Sequence, residues 1–391
     1  MGLAVNSKVA PRRAATGSVD SGFLEGVVAN SDVVITCGSG GVGKTTVAAA
    51  IGFAAAVNTS RRVLVVTIDP AKRLADALGL ESIGNVETRV DLPGLKGEFW
   101  VAMLDTSASW NDLIARHAPD ASTATKILAN PLYRNITQRF VQSHDYIAME
   151  RLFDLRSEGR FDLIVIDTPP TRHALDFLDA PERMADFFSS ALLRWITLPY
   201  RTFGAKAGRL GYLAAKPFYQ VADRILGSQF LQDIAEFFLL FQGMYDGFVQ
   251  RANAVTRLLH DPRTSFVVVS SPEPAPLHEA EFFLRELATR QLRVGALVLN
   301  RVLPSMFLDE KTRLHADQLL QASQPGALGD LAADLAKSYV RFSSLARRQQ
   351  EEIRRFSQQP ECTLSVPLLD VDVDPLGGVR AIGEVMWSPE T

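Results

Sequence analysis

The 391-residue chain carries 41 basic and 44 acidic residues, for a net charge of -3, with an isoelectric point near 6.1. An apolar fraction of 47% and a charged fraction of 22% are those of a globular chain able to bury a large core, and no basic field exists to attract nucleic acid. The two cysteines, Cys37 and Cys362, stand in no metal-ligand spacing, which points to a reducing compartment and against structural zinc.

Residues 1–30 read as a flexible tail, since Arg12 and Arg13 precede no apolar run of the kind a secretory leader needs. Apolar β-branched runs at 33–36, 62–69, 99–104, 163–167, 266–270, 297–300 and 363–367 predict strands buried on both faces. Helical patterns lie between them, and the one at 45–57 is apolar all round, as in a helix packed inside a protein. Strand alternating with helix predicts an α/β fold with a mostly parallel central sheet flanked by helices. Two stretches, 105–160 and 171–262, lack strand runs and are expected to form one inserted helical subdomain within a single domain spanning 31–391. A charged helix is expected over about 331–358, before the last strand. The longest uncharged apolar stretch in the middle, 237–245, is broken by Gln242 and is too short to span a bilayer. A soluble, cytoplasmic chain is expected, with peripheral docking on a membrane left open.

Between the first strand and the all-apolar helix stands Gly38-Ser39-Gly40-Gly41-Val42-Gly43-Lys44-Thr45, which fits the phosphate-binding pattern G-x-x-x-x-G-K-[ST]. Glycines let backbone N–H groups close around phosphate oxygens, and the helix N-terminus adds a favourable dipole. Lys44 supplies a point charge to the β- and γ-phosphates, and the Thr45 hydroxyl suits a Mg²⁺ ion. ATP and Mg²⁺ are therefore the expected ligands of a P-loop nucleotide hydrolase. Asp167 ends a central strand beside this loop, where it either serves the metal or caps the following helix. Asp69 ends another strand, where it either orients a water against the γ-phosphate or caps the helix begun by Pro70.

Taken with 69–74 and 167–175, and with 272–278 and 298–301, the phosphate loop resembles the ArsA-like anion-transporting ATPases, whose phosphate loop is a deviant Walker A. That family includes the ATPase that delivers tail-anchored membrane proteins. The chain is most similar to one member of the actinobacterial branch, in which two unequal chains pair. The resemblance implies that Asp69 aligns the attacking water and that Asp167 holds a Mg²⁺-bound water. It implies that Thr45 ligates the metal and Thr46 bonds the α-phosphate. It also implies that Asn300, otherwise a helix cap, reads the adenine edge while Pro272, Glu273 and Pro367 wall the base.

Three positions depart from the family pattern. Ser39 stands where the family carries a lysine that reaches a partner's phosphates, which favours a heterodimer with a homologous ATPase chain over a homodimer. Lys72 stands where histidine is usual. The thiolates of the arsenite pumps and the zinc-binding cysteine pair of the targeting branch have no counterparts, and soft ligands need several converging thiolates. The aromatic residues of 171–262 form either the subdomain's own core or a groove for an apolar protein client. The expected function is a nucleotide-driven dimeric switch for membrane-associated transport or targeting. The alternatives are a nucleotide-binding subunit of low intrinsic activity and a small-molecule P-loop kinase.

Overall fold

The run at 33–36 becomes β1 (Val33–Cys37), the central strand of an eight-stranded sheet in the computed structural model. Residues 23–68, 73–131, 133, 141–168, 179, 183, 237–241, 243–322, 327–356, 360, 362–369 and 375–387 are described. The other strands are β2 (Arg62–Thr67), β3 (Thr88–Arg89), β4 (Glu98–Met103), β5 (Leu163–Asp167), β6 (Thr264–Ser270), β7 (Val294–Val302) and β8 (Thr363–Pro367). Their order is β3-β4-β2-β5-β1-β6-β7-β8, parallel throughout except for the antiparallel edge pair of β3 and β4. This is the α/β architecture expected of a P-loop nucleotide hydrolase.

Alternation along each strand sends neighbouring side chains to opposite faces. Val34, Val63, Val65, Val267 and Leu364 join a core with α2 (Lys44–Asn58) and α11 (Pro375–Trp387). Val33, Ile35, Leu64, Val66 and Phe266 join the opposite core, beneath α6 (Val141–Glu158), α7 (Tyr245–Leu259) and α8 (Pro274–Thr289). The remaining helices are α1 (Phe23–Ala29), α3 (Arg73–Leu78), α4 (Thr106–His117), α5 (Ala121–Ala129), α9 (Glu310–Ala322) and α10 (Ala327–Arg355). As expected, α2 is buried on every side: Gly52 lies where a Cβ would stand 2.3 Å from Val65, and Gly383 of α11 approaches the Ala50 carbonyl.

Two expectations are corrected. Residues 23–29, assigned to the tail, form α1, because Leu24, Val27 and Val28 fall at helical spacing and bury against the core of α2. The strand expected over 62–69 ends at Thr67, and Asp69 lies outside the described residues. At the amino ends of the strands, Asp32 collects Arg61, Arg156 and Arg263. The Arg263 hydrogen bond, foremost, holds its carboxyl below the ordinary value.

A third core fills the helices of the first insertion together with 237–241 and α7. Trp110, Tyr146, Phe237, Phe241, Met244 and Phe248 are all buried in it. These aromatic side chains are core rather than groove. Phe187, Phe188, Trp195 and Phe230, named with them in the sequence, lie outside the described residues.

Candidate active site

The loop from Gly38 to Gly43 joins β1 to α2 at the carboxyl edge of the sheet, with β5 on one side of β1 and β6 on the other. Its glycines are conformational requirements. Gly38 has φ +148°, and a Cβ there would stand 2.0 Å from the Val269 carbonyl oxygen. Gly43 has φ +91°, and a Cβ would meet the Asn300 amide at 2.3 Å. Gly43, having no side chain, caps α2 without a side-chain hydrogen bond of its own. That is the arrangement an anion needs.

Lys44 is buried, and its Nζ donates to the Ser39 carbonyl at 2.8 Å, which places the ammonium group inside the curve of the loop. The Ser39 hydroxyl is itself buried, with no hydrogen-bond partner among the described residues. Gly40 and Gly41 form the exposed tip, and Val42 is buried behind it. Thr45 and Thr46 are half-buried in the first turn of α2.

Asp167 is fully buried at the end of β5. Register aligns it with Thr36 on β1 and Thr67 on β2, and Thr67 Oγ1 donates to its Oδ2 at 2.9 Å. The next residue, Thr168, donates its hydroxyl to the Thr36 carbonyl at 2.7 Å, and the Ile68 N–H donates to the Asp167 carbonyl. The carboxylate is thus fixed one strand away from the phosphate loop, and the backbone leading to Asp69 is tied to the same strand end.

Pro272 lies two residues beyond β6, Asn300 near the end of β7 and Pro367 at the end of β8, three neighbouring strands whose carboxyl ends continue the edge that carries the loop. Pro272 is buried, Pro367 is half-buried, and Glu273 is exposed at the N-cap of α8. Asn300 is buried and turned toward the loop: its Nδ2 donates to the Val42 carbonyl at 2.8 Å and its Oδ1 accepts from the Arg301 N–H at 3.0 Å. A base could use only the second hydrogen and second lone pair of that amide.

Sequence reasoning passed over Thr36 and Thr67, polar residues inside otherwise apolar strands, a signal that was legible. Arg301 fell within the 298–301 motif but was given no role; it donates through Nη1 to the Gly41 carbonyl at 3.1 Å from an exposed position.

The profile of the family described as anion-transporting ATPase matches residues 31–203 and 215–359. The ATPase GET3 of Podospora anserina is 26% identical over 267 residues, covering 68% of this chain and 71% of its own. A chain of Aquifex aeolicus, provisionally named arsenical pump-driving ATPase 1, is 23% identical over 376 residues, covering 92% of this chain and 79% of its own. An uncharacterised protein of Streptomyces coelicolor is 31% identical over 274 residues, covering 69% of this chain and 62% of its own.

Proposed function

The chain belongs to the anion-transporting ATPase family and is an ATPase, and we propose that it works as a nucleotide-driven dimeric switch in membrane-associated transport or targeting. One observation carries the nucleotide part. A largely buried helix begins directly after a glycine loop that curls around the buried Lys44 ammonium group. Together they offer backbone N–H groups, a helix dipole and one positive charge to a triphosphate.

In this reading Lys44 leaves the Ser39 carbonyl for the β- and γ-phosphates, and Thr46 bonds the α-phosphate. Asp69 orients a water in line with the γ-phosphorus. The water oxygen bonds to phosphorus as the bridge to the β-phosphate breaks, giving ADP and phosphate. A magnesium ion fits the site by its chemistry, because Mg²⁺ takes few protein oxygens and keeps several waters. The Thr45 hydroxyl would bind it directly, and Asp167, oriented by Thr67, would hold one of its waters. When bound, such an ion neutralises charge on the phosphates. Asn300 with Pro272, Glu273 and Pro367 would form the side where adenine sits.

Ser39 supports the heterodimer. A serine hydroxyl brings no charge to a neighbouring active site, and a cation supplied in trans is worth roughly 10³- to 10⁵-fold in rate. The proposed client is an apolar protein segment or a membrane surface. The other named relative's arsenical substrate is disfavoured here. Cys37 and Cys362 are both free, and they occupy opposite faces of the sheet, in different cores. Among the described residues no helix is long and apolar enough to cross a membrane. The proposed location is the cytoplasm.

Phosphate release separates these readings. Lys44→Ala should lower hydrolysis on the order of 10²-fold or more. Asp69→Asn should lose turnover yet keep ATP affinity. Turnover that requires a small-molecule acceptor would instead identify a kinase. Mixing with a homologous chain that carries lysine at the Ser39 position should raise the rate several-fold, and an unchanged rate would leave a subunit of low intrinsic activity.

A further inference from the structure

Arg301 has no part in the scheme above, yet its backbone is unusual. Its φ is +62°, and it shares a positive φ with Gln291 alone among the non-glycine described residues. Side chains with a Cβ rarely adopt that region, and such strain concentrates where geometry is needed for function. The residue lies within β7, where the pairing with β8 shifts register between Leu299 and Val302, and there consecutive residues grip consecutive carbonyls of the phosphate loop. Asn300 Nδ2 holds Val42, and Arg301 Nη1 holds Gly41 at 3.1 Å. Asn300 Oδ1 in turn accepts the Arg301 N–H, which locks the two residues into one unit.

The geometric consequence follows from the planar trans peptide, in which a carbonyl and the next N–H point in opposite directions. Holding the Gly41 carbonyl toward β7 turns the Val42 N–H away from β7. Holding the Val42 carbonyl does the same for the Gly43 N–H. Positive φ at Gly41, +81°, and at Gly43, +91°, makes this double orientation accessible.

We propose that Arg301 is a positioning residue for ATP hydrolysis, which acts through the Gly41 carbonyl to preset the loop's N–H groups for the phosphates before nucleotide arrives. This rests on the reading of the loop as an ATP site. A guanidinium hydrogen bond of this kind is worth roughly tenfold to hundredfold in an equilibrium. The effect falls on the phosphates common to ATP and ADP, so both nucleotides gain.

The test uses the full chain, calorimetric titration with Mg·ATP and Mg·ADP, and two variants. Arg301→Gly removes the guanidinium while accepting the positive φ without strain, so strain relief offsets part of the lost hydrogen bond and the chain stays folded, as Tm reports. It should bind both nucleotides roughly tenfold to hundredfold more weakly, with KM rising by a larger factor than kcat falls. Arg301→Lys, whose ammonium group spans a similar reach, should recover most of the loss. Wild-type affinity in Arg301→Gly overturns the assignment. A loss that Arg301→Lys does not recover overturns it too, as does a defect confined to kcat, which would put the side chain on the transferred phosphoryl group. A wild-type chain silent toward both nucleotides would instead sink the ATP-site reading itself.

Discussion

Cys37 directly precedes the phosphate loop, where a thiol invites suspicion of reactivity, but its surroundings argue otherwise. Burial pushes it up to about 12, against a smaller opposing pull from Lys44, and its Sγ faces the Val267 carbonyl. At pH 8 the native thiol then carries very little of the thiolate that alkylating agents attack. Cys362 is half-buried and pushed up to about 11. Iodoacetamide should therefore modify Cys362 before Cys37 in the native chain and both rapidly in denaturant, as read by mass spectrometry of peptides. Prompt native labelling of Cys37 would contradict the burial. Gly38, Gly43 and Lys44 could be located from sequence because the phosphate pattern fixes their spacing. The partners that explain them could not. Asn300 and Val269 lie far along the chain and reach the loop only once β6 pairs with β1 and β7 with β6.

At the scale of elements, hydrophobic periodicity located the long strands and helices because each had to bury one face or both. Shorter pieces carried too little signal. β3 is two exposed residues, Thr88 and Arg89, with no apolar alternation, and α1 is a short helix interrupted by Gly26. Helix α10 begins earlier than its charge pattern suggested, since Leu328, Leu331 and Leu335 remain exposed along its first turns. A polar contact invisible in either segment alone joins the two insertions. Glu150 of α6 and Arg251 of α7 form a buried pair, with the Tyr146 hydroxyl donating to the same carboxylate and the guanidinium over the Phe248 ring. Arg251→Met should cost about 3–5 kcal/mol in denaturant unfolding, because it strands a buried carboxylate. Adding Glu150→Gln should return a good part of that loss, since the neutral amide needs no counter-charge and still accepts from Tyr146. Equal stability of the single and double variants would show that the pair does not act as a unit.

Across the whole molecule the two ends of the sheet have opposite characters. The carboxyl ends carry the open, anion-seeking loop, whereas the amino ends are tied by Asp32 to arginines from three separate elements. The depressed Asp32 carboxyl binds its proton less tightly in the folded chain than in the unfolded one. It therefore adds stability at pH values above the ordinary 3.8, and that contribution disappears as pH falls through and below it. Asp32→Asn should lower stability at pH 7 by roughly 1–3 kcal/mol and flatten the acid limb of the stability curve. An unchanged acid limb would mean that other carboxylates set it.

Helix α2 packs between the sheet and α11, its alanines buried and Gly52 too close to Val65 to admit a methyl group. In the proposed nucleotide switch this buried shaft is the fixed bearing, and other parts of the chain supply the stroke.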